Sequence, residues 1–91
     1  MERSCPELVR RGAAGDEAAR MALLVEDEAV VEPLIDCFYA GVSEDEGLFI
    51  LELLALIGGY EARQLFEDQV QYGVRFESWE VAARAALDDM L

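Results

Sequence analysis

Apolar side chains recur along this chain at helical spacing in six segments, and alternating strand-like stretches are absent. In the last segment one helical face would carry Trp79, Ala82, Ala83, Ala86 and Leu87, at i, i+3, i+4, i+7 and i+8. The predicted helices cover residues 4–11, 16–25, 27–40, 43–57, 60–72 and 78–90. Because only short turns separate them, the sequence predicts an all-α fold of six helices in one domain, residues 1–91.

Capping residues and glycines set the predicted helix boundaries. Ser43-Glu44-Asp45-Glu46 has the spacing of a capping box, in which the serine hydroxyl and the third acid satisfy free backbone N–H groups. The acids of this first turn also complement the helix dipole. Gly12, Gly41 and Gly58-Gly59 follow apolar segments and are expected to end helices.

The chain matches itself at an offset of 32 residues. Gly41-Val42 falls on Gly73-Val74 after one step, and Ala18-Ala19-Arg20 falls on Ala82-Ala83-Arg84 after two. Helix ends and apolar columns keep one register over three units, so each unit is predicted to be an αα-hairpin that completes its core by stacking on its neighbours. About two and a half to three such hairpins would form a short α-solenoid. The alternative is an irregular helical bundle.

Two segments resemble a known repeat family. Val31-Glu32-Pro33-Leu34-Ile35-Asp36 is similar to the Val-Pro-x-Leu-Ile-Glu first helix of HEAT-like repeats, and Leu53-Leu54-Ala55-Leu56-Ile57-Gly58 is similar to their Ala-Leu-x-x-Ile-Gly second-helix ending. The chain thus resembles the HEAT-like helical repeats, in particular the short bacterial forms of the phycobilin-lyase type. Pro33 lies one position late, and the connection after Gly58 is about one residue short. The resemblance implies stacked hairpins that bind other proteins.

The second helix of each predicted hairpin carries a surplus of apolar residues on the side turned away from the stack. The helix over 43–57 is apolar nearly all round, yet stacked hairpins would cover only one side of it. We therefore predict a partner-binding band with an acidic rim. It comprises Met21, Leu24, Phe49, Glu52, Leu53, Leu56, Val81 and Asp88. The alternative is that curvature of the array, or the loop around Arg75-Phe76, covers this band internally.

Charge narrows the classes of partner. The 20 acidic residues outnumber seven arginines, there is no lysine or histidine, and the formal net charge is −13. Such a surface repels nucleic acid and anionic membranes, and it either attracts basic proteins or simply keeps the domain soluble. Arg20, Glu52 and Arg84 share one column of the repeat and would form a small ion ladder. The longest apolar run, 48–57, is about half the length that a membrane span requires.

The chain lacks the residues of common catalytic and metal sites. Without histidine, neither a Ser/His nor a Cys/His nucleophile can be built, and Cys5 and Cys37 alone make no zinc site. Two cysteines fit a reducing cytoplasm. The sequence therefore predicts a non-catalytic, cofactor-free, metal-free cytoplasmic module that binds a protein with a basic surface or a second copy of itself. The alternative is an acidic inhibitor, such as an immunity or nucleic-acid-mimic protein, that occupies a basic site on its target.

Overall fold

The computed structural model of the protein describes residues 5–72 and 75–90. Over these ranges the chain forms six α-helices and no strand, which confirms the all-α prediction. The helices are α1 (Cys5–Ala13), α2 (Glu17–Val25), α3 (Val31–Ala40), α4 (Glu44–Ile57), α5 (Tyr60–Gln71) and α6 (Glu77–Met90), with a 3₁₀ helix (Asp27–Val30) before α3. Ser4 at the first predicted helix start and the repeat match at Gly73-Val74 lie outside the described residues.

Side-chain caps begin two of the helices as the sequence predicts. The carboxylate of Asp16 accepts hydrogen bonds from the backbone N–H groups of Ala18 and Ala19, at 3.0 and 3.3 Å, and starts α2. At α4 the Ser43 hydroxyl accepts from the N–H of Glu46 at 3.3 Å and donates to the Glu46 carboxylate at 2.8 Å. The serine half of the predicted capping box is therefore present, whereas the Glu46 carboxylate accepts from the serine hydroxyl instead of a backbone N–H. Gly58 and Gly59 follow α4 with φ of 78° and 102°, a region where a Cβ atom would be strained.

Two boundaries differ from the prediction. Gly12 does not end α1, which continues to Ala13 and is followed by Gly15 with φ of 105°. The predicted helix over 27–40 divides into the 3₁₀ helix and α3, so that Pro33 stands in the first turn of α3. Its missing N–H costs nothing there, because the first N–H groups of a helix have no partner within it.

All six helices contribute to one cluster of buried side chains. Neighbouring helices in the chain pack in pairs, α1 with α2, α3 with α4 and α5 with α6. Between the pairs, α3 contacts both α1 and α5, while α4 contacts both α6 and α1. The largest fully buried side chains include Leu23, Leu34, Ile50, Leu54 and Phe66. The described residues thus share one core, in which α4 is packed from several directions.

Two glycines inside helices allow close helix–helix contacts with aromatic rings. The ring of Phe49 on α4 lies against Gly12 of α1, and a methyl group at position 12 would overlap it. In the same way the indole of Trp79 on α6 lies against Gly47 of α4. The indole N–H donates to the backbone carbonyl of Glu44 at 3.0 Å. These contacts fix how α4 is rotated relative to its neighbours and hence which side of α4 faces solvent.

Candidate interaction surface

The predicted band on α4 is partly wrong. Phe49 is only 7% exposed and Leu53 is fully buried, so neither side chain is available to a partner at the surface. The reason is that α1 packs on this side of α4, with Gly12 leaving room for the Phe49 ring. This part of the band is thus covered within the monomer, as the alternative expected, and the element that contacts Phe49 is α1.

The other members of the predicted band are mostly accessible. Met21, Leu56 and Val81 are 53%, 59% and 62% exposed, each on a different helix. Glu52 and Asp88 are exposed as well, whereas Leu24 is half-buried against the core. The predicted set therefore separates into core residues, Phe49 and Leu53, and surface residues on α2, α4 and α6.

The side of α4 that faces solvent carries Asp45, Leu48, Glu52, Ala55 and Leu56. We call the first four, which lie at helical spacing, the outer ridge. Asp45, Glu52 and Ala55 are exposed and Leu48 is half-buried. Glu52 lies at the middle of this ridge. Its Oε1 atom is 3.2 Å from Nη2 of Arg20, which ties α4 to α2.

Two grooves run beside Glu52. The first, which we call the α4–α6 groove, has a volume of about 260 Å³ and is lined mostly by apolar atoms. It is formed by Leu48, Leu51, Glu52, Ala55, Ala82, Ala85, Ala86 and Asp89. The second lies between α4 and α1 and is formed by Gly12, Ala13, Asp45, Leu48, Phe49 and Glu52. Met21, Leu56 and Val81 line neither groove. The two grooves lie on either side of the outer ridge, and Leu48 and Glu52 of this ridge line both of them.

The predicted ion ladder is present only in its first half. Arg20 contacts Glu52, but Nη2 of Arg84 lies 2.8 Å from Oε1 of Glu80, one turn earlier on α6. An i,i+4 partner on the same helix is nearer for Arg84 than a residue on α4. The carboxylate of Glu52 is 59% exposed, so its remaining lone pairs face solvent.

Most of the positive charge is taken up by neighbouring carboxylates. Four arginines form ion pairs within the described residues: Arg11–Asp16, Arg20–Glu52, Arg63–Glu67 and Arg84–Glu80. Arg75 instead lies 5.3 Å from the centre of the Phe76 ring. Since acids exceed arginines by 13, the field at the surface is set by the remaining carboxylates.

Two side chains near the core, Cys37 and Tyr39, have raised pKa values. Burial raises the pKa of the Cys37 thiol, and the nearby Glu46 carboxylate raises it further, so the less reactive protonated thiol dominates at neutral pH. Burial and then the Asp68 carboxylate raise the pKa of Tyr39. Over residues 5–72 and 75–90, no three His, Cys, Asp or Glu side chains are grouped to hold a metal ion. In the same ranges no helix has the length and apolar character to cross a bilayer.

The sequence does not show which glycines lie against an aromatic ring of a neighbouring helix. Gly47 lies between the capping box and the apolar run without a distinguishing pattern, and Gly12 is predicted to end a helix but lies inside α1. The spacing of Leu48, Glu52 and Ala55 is the sequence signal for the exposed side of α4, because a single acid in the middle of an apolar helix points to solvent unless it is paired in the core.

Tyr60 and Tyr72 are also largely exposed, each at 77%.

The described part of the chain is thus an all-helical domain with an acidic surface and a shallow apolar groove beside Glu52. No match to this chain was found among family models, curated proteins or solved structures. The resemblance to HEAT-like repeats stays a prediction from the sequence.

Proposed function

We propose that the protein is a non-catalytic interaction module that binds a partner protein through the exposed face of its second helices, α2, α4 and α6. The observation that carries this proposal is that each of these helices exposes large apolar side chains, Met21 and Val25 on α2, Leu56 on α4 and Val81 on α6. The acids Glu52 on α4 and Asp88 on α6 are exposed as well. Apolar side chains rimmed by polar ones are typical of protein interfaces.

The proposal includes a HEAT-like order of the hairpins. In such an order the first helices α1, α3 and α5 form one layer and the second helices form the other. Contacts of α3 with both α1 and α5, and of α4 with α6, support this order. The ion pair between Arg20 and Glu52, which are 32 residues apart in the chain, links α2 to α4, although α4 packs on α1 rather than on α2. In addition, α1 contacts α4 and covers part of the hairpin formed by α3 and α4.

Charge favours a basic partner over a second copy. Two copies with a net charge of −13 each repel one another at long range, while a surface rich in lysine and arginine is attracted. Self-association through the same face remains a measurable alternative, and light scattering at increasing protein concentration distinguishes a monomer from a dimer.

Affinity capture from a lysate of the source cells tests the proposal. The wild-type protein is compared with Met21→Glu, Leu56→Glu and Val81→Glu, whose side chains are exposed and whose replacement leaves the core intact. Tyr72→Glu is the control, because Tyr72 is more accessible than any of the three, at 77%, but lies at the end of α5, which is a first helix. We expect a protein that is retained by the wild type and by Tyr72→Glu and lost from the three variants. Equal retention by all four variants would exclude this face.

An acidic inhibitor is the second candidate. It is favoured by the pairing of four arginines within the surface, which leaves the excess carboxylates as the outward charge. The two candidates differ in salt dependence. Binding that depends on charge weakens steeply as ionic strength rises, since the Debye length falls from about 10 Å at 0.1 M to about 3 Å at 1 M salt. Binding in which contacts with Met21, Leu56 and Val81 supply most of the affinity loses only the part that comes from charge attraction, and therefore weakens less over the same range.

A further inference from the structure

We propose that the α4–α6 groove binds an amphipathic helix of the partner, with the apolar side of that helix in the groove and its lysine or arginine side chains at Glu52 and Asp89. This inference rests on the proposed function and specifies which part of the surface is occupied and by what.

The shape of the groove suits a helix. Its two walls are residues 48–55 of α4 and residues 82–89 of α6, each roughly 12 Å long at the helical rise. On α6 the wall is made of Ala82, Ala85 and Ala86, which recur at helical spacing and project only a methyl group. Such walls let a third helix approach at the ordinary axial separation of about 8–10 Å.

The groove offers apolar contact along its length. Leu51 is buried between the two helices, while Leu48 and Ala55 line the α4 side. A volume of about 260 Å³ with a mostly apolar lining accepts the side chains of one helical stripe, and helix-in-groove recognition works through apolar side chains at i, i+3, i+4 and i+7. The occupant therefore presents an apolar stripe.

The acidic residues at the groove determine which charges the bound helix carries beside its apolar stripe. Glu52 and Asp89 both line the groove and both are exposed. Although Glu52 contacts Arg20, its side chain keeps enough accessible surface to accept a second cation. A second copy of this chain would bring the same two acids against their equivalents, and the like charges would repel. A helix with basic flanks satisfies both the apolar lining and the acidic edges.

Titration with model peptides tests the inference. The probe is a helix-forming peptide of leucine and lysine, about 14 residues long so that it matches α4 and α6. One control peptide has the same composition in a shuffled order without an apolar face, and a second has glutamate in place of lysine. Binding is followed by two-dimensional NMR of the labelled protein, which reports both the affinity and the residues contacted.

Two matched pairs of protein variants locate the site. Ala85→Gln fills the groove, and Ala22→Gln places the same side chain at an exposed alanine of α2. Asp89→Asn removes a charge at the groove, and Glu61→Gln removes one from an exposed position on α5. We expect Ala85→Gln to weaken binding of the leucine–lysine peptide about tenfold or more and Asp89→Asn to weaken it severalfold, with both control variants unchanged. Resonance shifts should concentrate at Ala82, Ala85 and Ala55.

Four outcomes would overturn the inference: equal binding of the shuffled peptide, equal affinity of Ala85→Gln and Ala22→Gln, resonance shifts centred on α2 or α5, or no binding of the leucine–lysine peptide. None of these outcomes contradicts the proposed function. That function is tested separately, because Met21, Leu56 and Val81, whose replacement should abolish capture of the partner, do not line the groove. Conversely, the peptide could bind in the groove while replacement of those three residues leaves capture of the partner unchanged. That result would show that the interface is the groove alone.

Discussion

The indole ring of Trp79 rests directly on the α-carbon of Gly47, and its N–H is bonded to the carbonyl of Glu44 one turn away. This contact joins the start of α6 to the start of α4. Phe38 of α3 and Phe76 complete an aromatic cluster, with ring centres 4.7 and 4.9 Å from that of Trp79. The hydrogen bond and the two rings leave the indole little freedom to move away from position 47.

Gly47→Ala should therefore destabilise the protein, although alanine is the better helix former. Overpacking of this kind costs about 1–3 kcal/mol, which exceeds the gain of about 1 kcal/mol in helix propensity. Urea unfolding followed by far-UV circular dichroism measures the change. In a double-mutant cycle with Trp79→Phe, the smaller ring should recover part of the loss. A stabilised Gly47→Ala protein would show that the indole does not occupy this position.

Phe49 and Leu53 should behave as core residues. Leu53→Ala should cost about 2–5 kcal/mol and Phe49→Ala about 3–5 kcal/mol, because both side chains are buried and leave a cavity. Leu56→Ala, one turn further along α4, should change the free energy of unfolding by no more than about 0.5 kcal/mol, since Leu56 is exposed. The same urea experiment compares the three. Similarly small changes in the free energy of unfolding at all three positions would contradict the burial of Phe49 and Leu53.

The ion pair of Arg20 and Glu52 should contribute little to stability. Both side chains are partly exposed, and such pairs are worth about 0–1 kcal/mol. A double-mutant cycle of Arg20→Gln and Glu52→Gln should give a small coupling energy that declines with added salt. The cycle of Glu52→Gln with Arg84→Gln should give none, because Arg84 contacts Glu80 instead. A measurable coupling energy between Glu52 and Arg84 would instead support the predicted ion ladder.

The cap at Asp16 should make stability depend on pH in the acidic range. The N–H of Ala19, followed by the Arg11 guanidinium and the N–H of Ala18, holds the pKa of the Asp16 carboxyl below its usual range. Because the pKa is lower in the folded state, the stabilisation is complete at neutral pH and declines as the pH falls below about 4.

Comparison with Asp16→Asn isolates this effect, since asparagine still caps the helix but does not titrate. The wild type should melt at a higher temperature than Asp16→Asn at pH 7, and the difference should shrink as the pH falls towards about 3. The repulsion among the other acids affects both proteins alike. A difference that does not change with pH would mean that the charge of Asp16 has no role in the cap.

The helices themselves could be predicted because their signals are local. Ser43 and Asp16 mark starts, Gly41 and Gly58 mark ends, and the spacing of apolar residues gives the helical class. The rotation of α4 could not be predicted in the same way. Its apolar residues surround the helix, so no single stripe identifies the inner side. That choice is made by α1, which reaches α4 only because Gly12 has no side chain to oppose Phe49.

Solenoid proteins are often shortened or extended by whole units, because each unit contacts only its neighbours through similar surfaces. Here the contact of Phe49 with Gly12 opposes that modularity. Removing the first hairpin would bring the Phe49 ring, and the flank of α4 around Leu53, into contact with water. A truncated chain that begins after α2 should therefore aggregate rather than remain a smaller folded domain, because α1 covers Phe49 of α4.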